Sequence, residues 1–424
     1  MWRTLYTIAL YVALPLVILR LWWRGRREPG YRRRVGERFG LYKFRPERAV
    51  LWVHAVSVGE ARAAAPLVRA LQEEFAEHDV LITCATAAGR EALKHLFGQS
   101  VLTAWLPYDY PGPVRKFLEH FRPRLGLLME TEIWPNLLAA CRAYGVPVVL
   151  ANARLSESSA LGYRRWGGLA RPAFAGLDAV CAQSEADAGR LAALGAKNVS
   201  VCGNLKFDVA PDAAKEQDGR AWRAALGRPV LLLASTREGE EKRLLDALRA
   251  APYGFLVVIV PRHPQRFAAL APLASGRRSR GDAPRAEDRV YLGDTMGEMA
   301  FYYAAADVAV IGGSFMPLGG QNLIEACAAG APVVFGPSMY NFADVSRLAL
   351  EAGAAVQSRN AADAVRLALE LLADAERRGR MGEAGRRLCM MHRGAAQNHL
   401  AVCRRLLASR PAGVSAAVRV PGRD

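Results

Sequence analysis

Residues 312–336 read GGSFMPLGGQNLIEACAAGAPVVFG, and their pattern decides the fold. A β-branched run at 308–311 ends in Gly312-Gly313. A glycine-rich loop, Leu318-Gly319-Gly320-Gln321, then opens a segment with Leu323, Ile324, Cys327 and Ala328 at helical spacing. Strand, glycine loop and helix in that order form the repeating unit of a doubly wound sheet. Glycine permits positive φ and close approach of the backbone to a ligand. The N–H groups at a helix start face an anion with the positive end of the dipole. Glu325 falls one turn in, where a carboxylate can accept both hydroxyls of a ribose. The loop suits the phosphate and ribose of a nucleotide-linked sugar. Taken alone, it suits an ordinary strand–turn–helix packing loop as well.

Outward from this loop the same alternation recurs. Apolar runs lie at 230–234, 255–260, 289–292, 332–335 and 354–356, and an earlier series lies at 50–56, 80–83, 101–104, 125–129, 146–151, 179–182 and 199–202. Continuous apolar strands separated by helical patterns indicate parallel sheets covered on both faces. The polar stretch DVAPDAAKEQDGR at 208–220 interrupts the pattern. The predicted organisation is an N-terminal Rossmann-like domain at 49–208, a linker at 209–222 and a second Rossmann-like domain at 223–395. A helix at 396–410 returns to the first domain, and a mobile tail follows at 411–424. Two such α/β halves predict a ligand cleft between them at the carboxyl ends of the strands.

The first 48 residues differ in character. They carry twelve basic against three acidic residues, a net +9 of the chain's +17. Residues 4–23, TLYTIALYVALPLVILRLWW, hold one charge, Arg20, and twenty helical residues span about 30 Å, one hydrocarbon thickness. Six arginines between 24 and 34 follow, so the positive-inside rule puts the folded part on the cytoplasmic side with a short N-terminus facing out. No A-x-A site marks a cleavable signal, and a buried core helix with an arginine arm is the structural alternative. The same arginines suit a membrane surface with anionic lipids. No zinc-finger, RNP or basic-zipper pattern accompanies them, so nucleic acid is not expected as a partner. The seven cysteines are scattered without a CxxC pair, which reads as buried thiols in a reducing compartment.

Several expected strand ends carry groups that packing does not require. In HAVSVGE (54–60), Gly59 allows a tight turn after Ser57, and Glu60 falls at a helix start. A partly desolvated carboxylate there can take a proton from a hydroxyl, or simply stabilise the helix dipole. METEIWPN (129–136) places Glu130 and Glu132 around a strand end, so that one can face the cleft while the other caps the helix begun by Pro135. Glu130, closer to the strand, is expected in the cleft. Lys206 in GNLKFD, and Arg262 with His263 in VPRHP, supply cations for an anionic leaving group. GDTMGEM (293–299) offers backbone groups and Met296 as an apolar wall for a base. No D-x-D pair occurs, and no metal site is predicted.

Together with ANARLS (151–156), ASTREGEE (234–241) and GGQNLIEA (319–326), these stretches closely resemble the 3-deoxy-D-manno-octulosonic acid (Kdo) transferases. The match runs in order over nearly the whole chain and departs at Arg237, where some members carry His. The resemblance implies an α/β GT-B fold, two Rossmann-like domains with an interdomain cleft, plus an N-terminal membrane anchor helix. It implies CMP-Kdo as donor, a lipid A precursor as acceptor, inversion at the anomeric centre, no metal and no cofactor, at the cytoplasmic face of the inner membrane. Carried onto this sequence, Glu60 is the general base, and Glu130 and Lys206 stabilise the transition state. Arg262, His263, Met296, Gly297 and Glu298 contact the donor, as do Gly320, Asn322, Leu323, Ile324 and Glu325. Ser57, Gly59 and Glu132 lie on the acceptor side. Two other readings remain at this point: a GT-B transferase using a UDP-sugar and a lipid acceptor, and a non-catalytic sugar-nucleotide-binding membrane protein.

Overall fold

The computed structural model describes residues 1–249, 251 and 254–409; the expected mobile tail at 411–424 lies outside the described residues. The chain divides into two compact units, one built from Met1–Val209 with the residues from Arg393 on, the other from Ala210–His392.

Among the described residues, each unit carries a seven-stranded sheet. In unit 1 the strands are β1 (Ala49–His54), β2 (His78–Cys84), β3 (Leu102–Trp105), β4 (Pro123–Met129), β5 (Val148–Ala153), β6 (Ala179–Ala182) and β7 (Val199–Val201). Their spatial order is β3-β2-β1-β4-β5-β6-β7, and every pairing is parallel. The twofold alternation of strand side chains loads both faces. In β1, Leu51 and Val53 enter one apolar layer with Leu67, Leu71 and Leu400, while Val50 and Trp52 enter the other with Phe117, Phe121 and Leu150. That two-sided burial is why these strands read as unbroken apolar runs.

Unit 2 repeats the plan with β8 (Val230–Thr236), β9 (Leu256–Pro261), β10 (Gly276–Arg277), β11 (Val290–Leu292), β12 (Val308–Ile311), β13 (Val333–Phe335) and β14 (Ala355–Gln357). The order is β10-β11-β9-β8-β12-β13-β14, again parallel throughout. The two-residue edge strand β10 was not expected from sequence, since it is too short to leave an apolar run.

The order reverses between β1 and β4 in unit 1 and between β8 and β12 in unit 2. At such a switch point the following loops part to opposite faces and leave a crevice outside the strand ends. The motif loops after β1, β4, β8 and β12 leave strands at the switch points and those after β5 and β9 leave strands beside them, while the loops after β7 and β11 leave strands further out.

Three elements outside the sheets bear on the organisation expected from sequence. Most of the stretch expected as a linker is helix Ala213–Leu226, capped by the Asp212 carboxylate and belonging to unit 2. Helix Ala395–Ala408 packs in unit 1, where buried His399 accepts the Asn152 amide at 2.8 Å and Asp208 accepts the Gly394 and Ala396 amides at 2.7 and 2.6 Å. The N-terminal helix, Trp2–Arg27, is long and apolar enough to cross a membrane, with a mean hydropathy of 1.9 over its most apolar window.

Candidate active site

In unit 1 the loops after β1 and β4 emerge side by side because those strands are neighbours. Helix Val58–Glu74 starts directly after the β1 loop, with Ser57 as its cap. Ser57 Oγ accepts the Glu60 amide at 3.3 Å and donates to Glu60 Oε1 at 3.1 Å, and Glu60 Oε2 accepts the Val56 amide at 2.8 Å. This is a reciprocal cap, so Glu60 serves the helix start as well as standing at the switch point. Burial pushes its carboxyl up to about 7, the nearby Glu130 and Glu132 charges add to this, and the Val56 and Ser57 hydrogen bonds oppose it. Gly59, in the first helical turn, contributes backbone only.

Glu130 directly follows β4 with φ +55°, a left-handed conformation uncommon for a residue with a Cβ. It accepts from Lys206 Nζ at 3.2 Å, so the acid after β4 and the base after β7 meet although 76 residues separate them. Glu132 accepts from Trp134 Nε1 at 3.0 Å, and its carboxyl is raised by burial and by Glu130. It does not cap helix Pro135–Ala143. That cap is Asp109, from the loop after β3, which accepts the Asn136 and Leu137 amides at 3.1 and 2.7 Å. A cap delivered from a separate loop leaves no local signature.

His54, at the end of β1, was not singled out from sequence. It is fully buried, its Nδ1 lies 2.9 Å from Thr83 Oγ1, and its Nε2 is 4.0 Å from Glu132 Oε2. Burial lowers it to about 4, so it is neutral at physiological pH. Asn152, with φ +51°, was quoted within ANARLS but given no role. Its Oδ1 accepts the Leu205 amide at 3.0 Å and so fixes the backbone that presents Lys206.

In unit 2 the loops after β8 and β12 meet in the same way. Buried Glu240 accepts the Arg237 amide at 2.9 Å through Oε2, the Gly313 amide at 2.6 Å through the same oxygen, and the Phe315 amide at 2.9 Å through Oε1. One carboxylate thus holds the glycine loop against the β8 turn. Nothing in ASTREGEE signals that this glutamate reaches a loop 73 residues away.

Gly319 and Gly320 have φ +82° and +76°, and a Cβ on Gly320 would stand 2.2 Å from Met339 Sδ. Only glycine fits there. The helix that follows is short, Ile324–Ala329, and begins later than the glycine-loop pattern suggested. Asn322 Oδ1 accepts the Ile324 amide at 3.1 Å, and Asn322 Nδ2 donates to Glu325 Oε1 at 3.1 Å. Leu323 and Ile324 bury their side chains, which leaves only backbone groups for a ligand. Any anion held here would meet loop backbone more than a helix dipole.

Arg262 and His263 follow β9. His263 Nε2 accepts from Arg237 Nη1 at 2.9 Å, and burial with the Arg237 and Arg262 charges lowers its pKa, so the imidazole stays neutral beside two cations. Tyr303, fully buried, donates to the Asn322 carbonyl at 3.4 Å and feels the charges of Glu325 and Arg262. It brings the β9 and β12 loops to one place. After β11, Asp294 is tied to Arg277 at 2.6 Å and Glu298 to Arg278 at 2.9 Å, while Met296 is exposed beside Gly297 at φ +80°.

The family model of 3-deoxy-D-manno-octulosonic-acid transferase (kdotransferase) matches residues 33–209, and that of glycosyl transferases group 1 matches residues 285–388. A 3-deoxy-D-manno-octulosonic acid transferase of Bordetella pertussis is 50% identical over 423 residues, which cover 94% of this chain and 98% of that protein. The chain belongs to the Kdo transferase family. A member from Haemophilus influenzae is 35% identical over 94% of this chain and 97% of its own length. The Kdo transferase resemblance read from the motifs thus holds over 94% of the chain, and the protein is a glycosyltransferase. A solved putative UDP-N-acetylglucosamine 2-epimerase from Listeria monocytogenes, 15% identical, covers 86% of this chain and 98% of its own at TM-score 0.60. That likeness extends to the fold, two parallel-sheet units of the GT-B class.

Proposed function

We propose that this chain transfers Kdo from CMP-Kdo to a lipid A precursor in assembly of the lipopolysaccharide inner core. Family membership supports the donor and acceptor. The observation that carries the chemistry is the Glu60 carboxyl, held near neutrality at the β1–β4 switch point beside Glu130 and Glu132. A base with a pKa near the working pH combines a useful ionised fraction with a useful driving force for proton transfer.

In the proposed reaction Glu60 takes the proton of the acceptor hydroxyl as its oxygen bonds to the anomeric carbon of Kdo. The bond from that carbon to the phosphate oxygen breaks, and CMP departs with the electron pair. A single displacement of this kind inverts the anomeric centre. Lys206, oriented by Glu130, offsets the negative charge that collects near the acidic sugar. Arg262, with Arg237 and His263, faces the departing CMP phosphate. Gly320, Asn322 and Glu325 hold phosphate and ribose, with Met296, Gly297 and Glu298 beside the base. These groups supply the positive charge and hydrogen bonds themselves, and no step in the proposal calls for a metal. The acceptor enters past Ser57, Gly59 and Glu132. The setting is the cytoplasmic face of the inner membrane, where the arginine-rich segment meets anionic headgroups.

The test is incubation of the purified chain with CMP-Kdo and a lipid A precursor, with the product mass read directly. A gain of one or more Kdo residues is expected, inhibited by CMP and not by UDP. An unchanged acceptor, or inhibition by UDP alone, overturns the reading.

A further inference from the structure

The Trp2–Arg27 helix, about 39 Å long at 1.5 Å per residue, is fastened to unit 1 near both ends. At its start, Tyr6 donates to Asp109 Oδ2 at 3.0 Å, Thr7 donates to Asn136 Oδ1 at 3.1 Å, and Tyr110 donates to the Leu10 carbonyl at 2.8 Å. The Trp2 ring covers Gly168, where an added Cβ would stand 2.4 Å from it. At its far end the Arg24 guanidinium lies 4.6 Å from the centre of the Tyr31 ring, and Tyr31, itself buried, stacks on Trp105 of β3. Between these points Ala13, Val17 and Leu21 are half-buried.

The opposite face is bare. Leu5, Ile8, Val12, Leu16, Leu19 and Trp23 recur every three or four residues, and each is between 51% and 76% exposed. Six largely exposed apolar side chains on one stripe call for an apolar medium. Around the end of this stripe, Arg26 lies over Trp22 at 4.0 Å and Arg27 over Trp23 at 4.2 Å, both exposed, with Arg32 5.8 Å from the Trp22 ring. Cations and indoles at the rim of an apolar stripe match an anionic headgroup layer over acyl chains. Where the helix start meets unit 1 there is a groove of about 380 Å³, with apolar walls at Leu138, Leu169 and Pro172 and with Arg3 and Arg142 among its lining.

A helix crossing the bilayer would thread residues 4–23 through about 30 Å of hydrocarbon and carry residues 2–11 into its far half and past it. Every contact at its start would break, and Asp109, only 4% exposed, would lose its Tyr6 partner. We infer that this helix lies in the plane of the membrane, with its Leu5–Trp23 stripe sunk into one leaflet of anionic lipid and its N-terminus on the same side as the folded units. This differs from the topology expected from hydropathy and arginine placement, in which the N-terminus faces out. It also sets the Glu130–Asn136 turn, which Tyr6 and Thr7 grip through Asp109 and Asn136, close beside the lipid surface.

The seven native cysteines are buried, so an introduced one reports alone. The full chain carrying Arg3→Cys, and separately exposed Gln99→Cys as the folded-unit reference, is reconstituted in sealed vesicles of phosphatidylethanolamine and phosphatidylglycerol. Each is treated with a membrane-impermeant maleimide before and after detergent. Equal labelled fractions of the two variants before detergent are expected. Complementary fractions, Arg3→Cys reacting where Gln99→Cys does not, overturn the inference. Val12→Glu combined with Leu16→Glu is expected to lower co-sedimentation with the same vesicles by at least about tenfold without changing the thermal unfolding midpoint. Undiminished co-sedimentation would show that the stripe does not enter lipid.

Discussion

The Glu130 carboxylate accepts a hydrogen bond from Lys206 Nζ at 3.2 Å, from a backbone held at φ +55°. A left-handed conformation costs a residue with a Cβ roughly 1–2 kcal/mol. An ion pair with both partners still touched by solvent returns about 0–1 kcal/mol. The arrangement is therefore poorly explained by stability and well explained by a need to aim the carboxylate and its lysine.

Glu130→Gly accordingly separates folding from function. Glycine adopts the same backbone freely, so the thermal midpoint is expected to hold or rise slightly, while transfer falls by about 10²–10³ as an aligned charge is lost. Thermal unfolding and transfer rate measured on one preparation check this. A matched loss of both would make Glu130 a folding residue.

The rate should also track Glu60. Burial raises its carboxyl to about 7, and a base must be ionised to act, so kcat/KM is expected to climb with pH through about 7 and then level. The charges facing it are Glu130 and Glu132, with Lys206 beyond Glu130, while His54 is held neutral by burial. Glu130→Gln removes a like charge, favours ionised Glu60 and should move the rising limb to lower pH. Stability runs the other way. Because the folded-state value lies above the ordinary 4.5, the contribution of this group is full below 4.5 and is lost as pH rises through about 7. A pH–rate profile alongside pH-dependent unfolding tests both signs.

Glu240→Gln puts an N–H₂ group against amides that now donate to a carboxylate. At least one of the Arg237, Gly313 and Phe315 amides loses its acceptor, at a cost of about 1–3 kcal/mol. The glycine loop should loosen, so the KM for the nucleotide donor is expected to rise more than kcat falls. Calorimetric CMP binding and steady-state kinetics distinguish this from a simple stability defect.

Gly320→Ala meets both a positive φ and the Met339 sulfur at 2.2 Å. Donor binding is expected to weaken at least about tenfold, on the scale of that strain, while acceptor-side residues keep their geometry. Unchanged CMP affinity would remove this loop from the nucleotide site.

Much of this was legible in the chain because two-sided burial writes itself as apolar runs, and because motif loops follow strands directly. Glu60, Glu130 and Lys206 stand out as candidates for that reason, each just past a strand end. Contacts closed by tertiary structure were not legible. The Asp109 cap on a helix begun at Pro135 joins loops 27 residues apart, and Glu240 reaches Gly313 across 73. Helix Ala213–Leu226 was read as a linker because its first half is polar and unpatterned, yet Gly219 lets it sit directly on the Phe301 backbone. The N-terminal helix gave the right length and polarity, but hydropathy does not encode which face a domain covers.

The central claim is that Glu60 removes the acceptor proton. It is tested most directly by comparing wild type with Glu60→Gln in a single-turnover assay with CMP-Kdo and a lipid A precursor. The account expects transfer to fall by about 10²–10⁴ with CMP affinity unchanged, the range for loss of a general base. Turnover within about tenfold of wild type would contradict it.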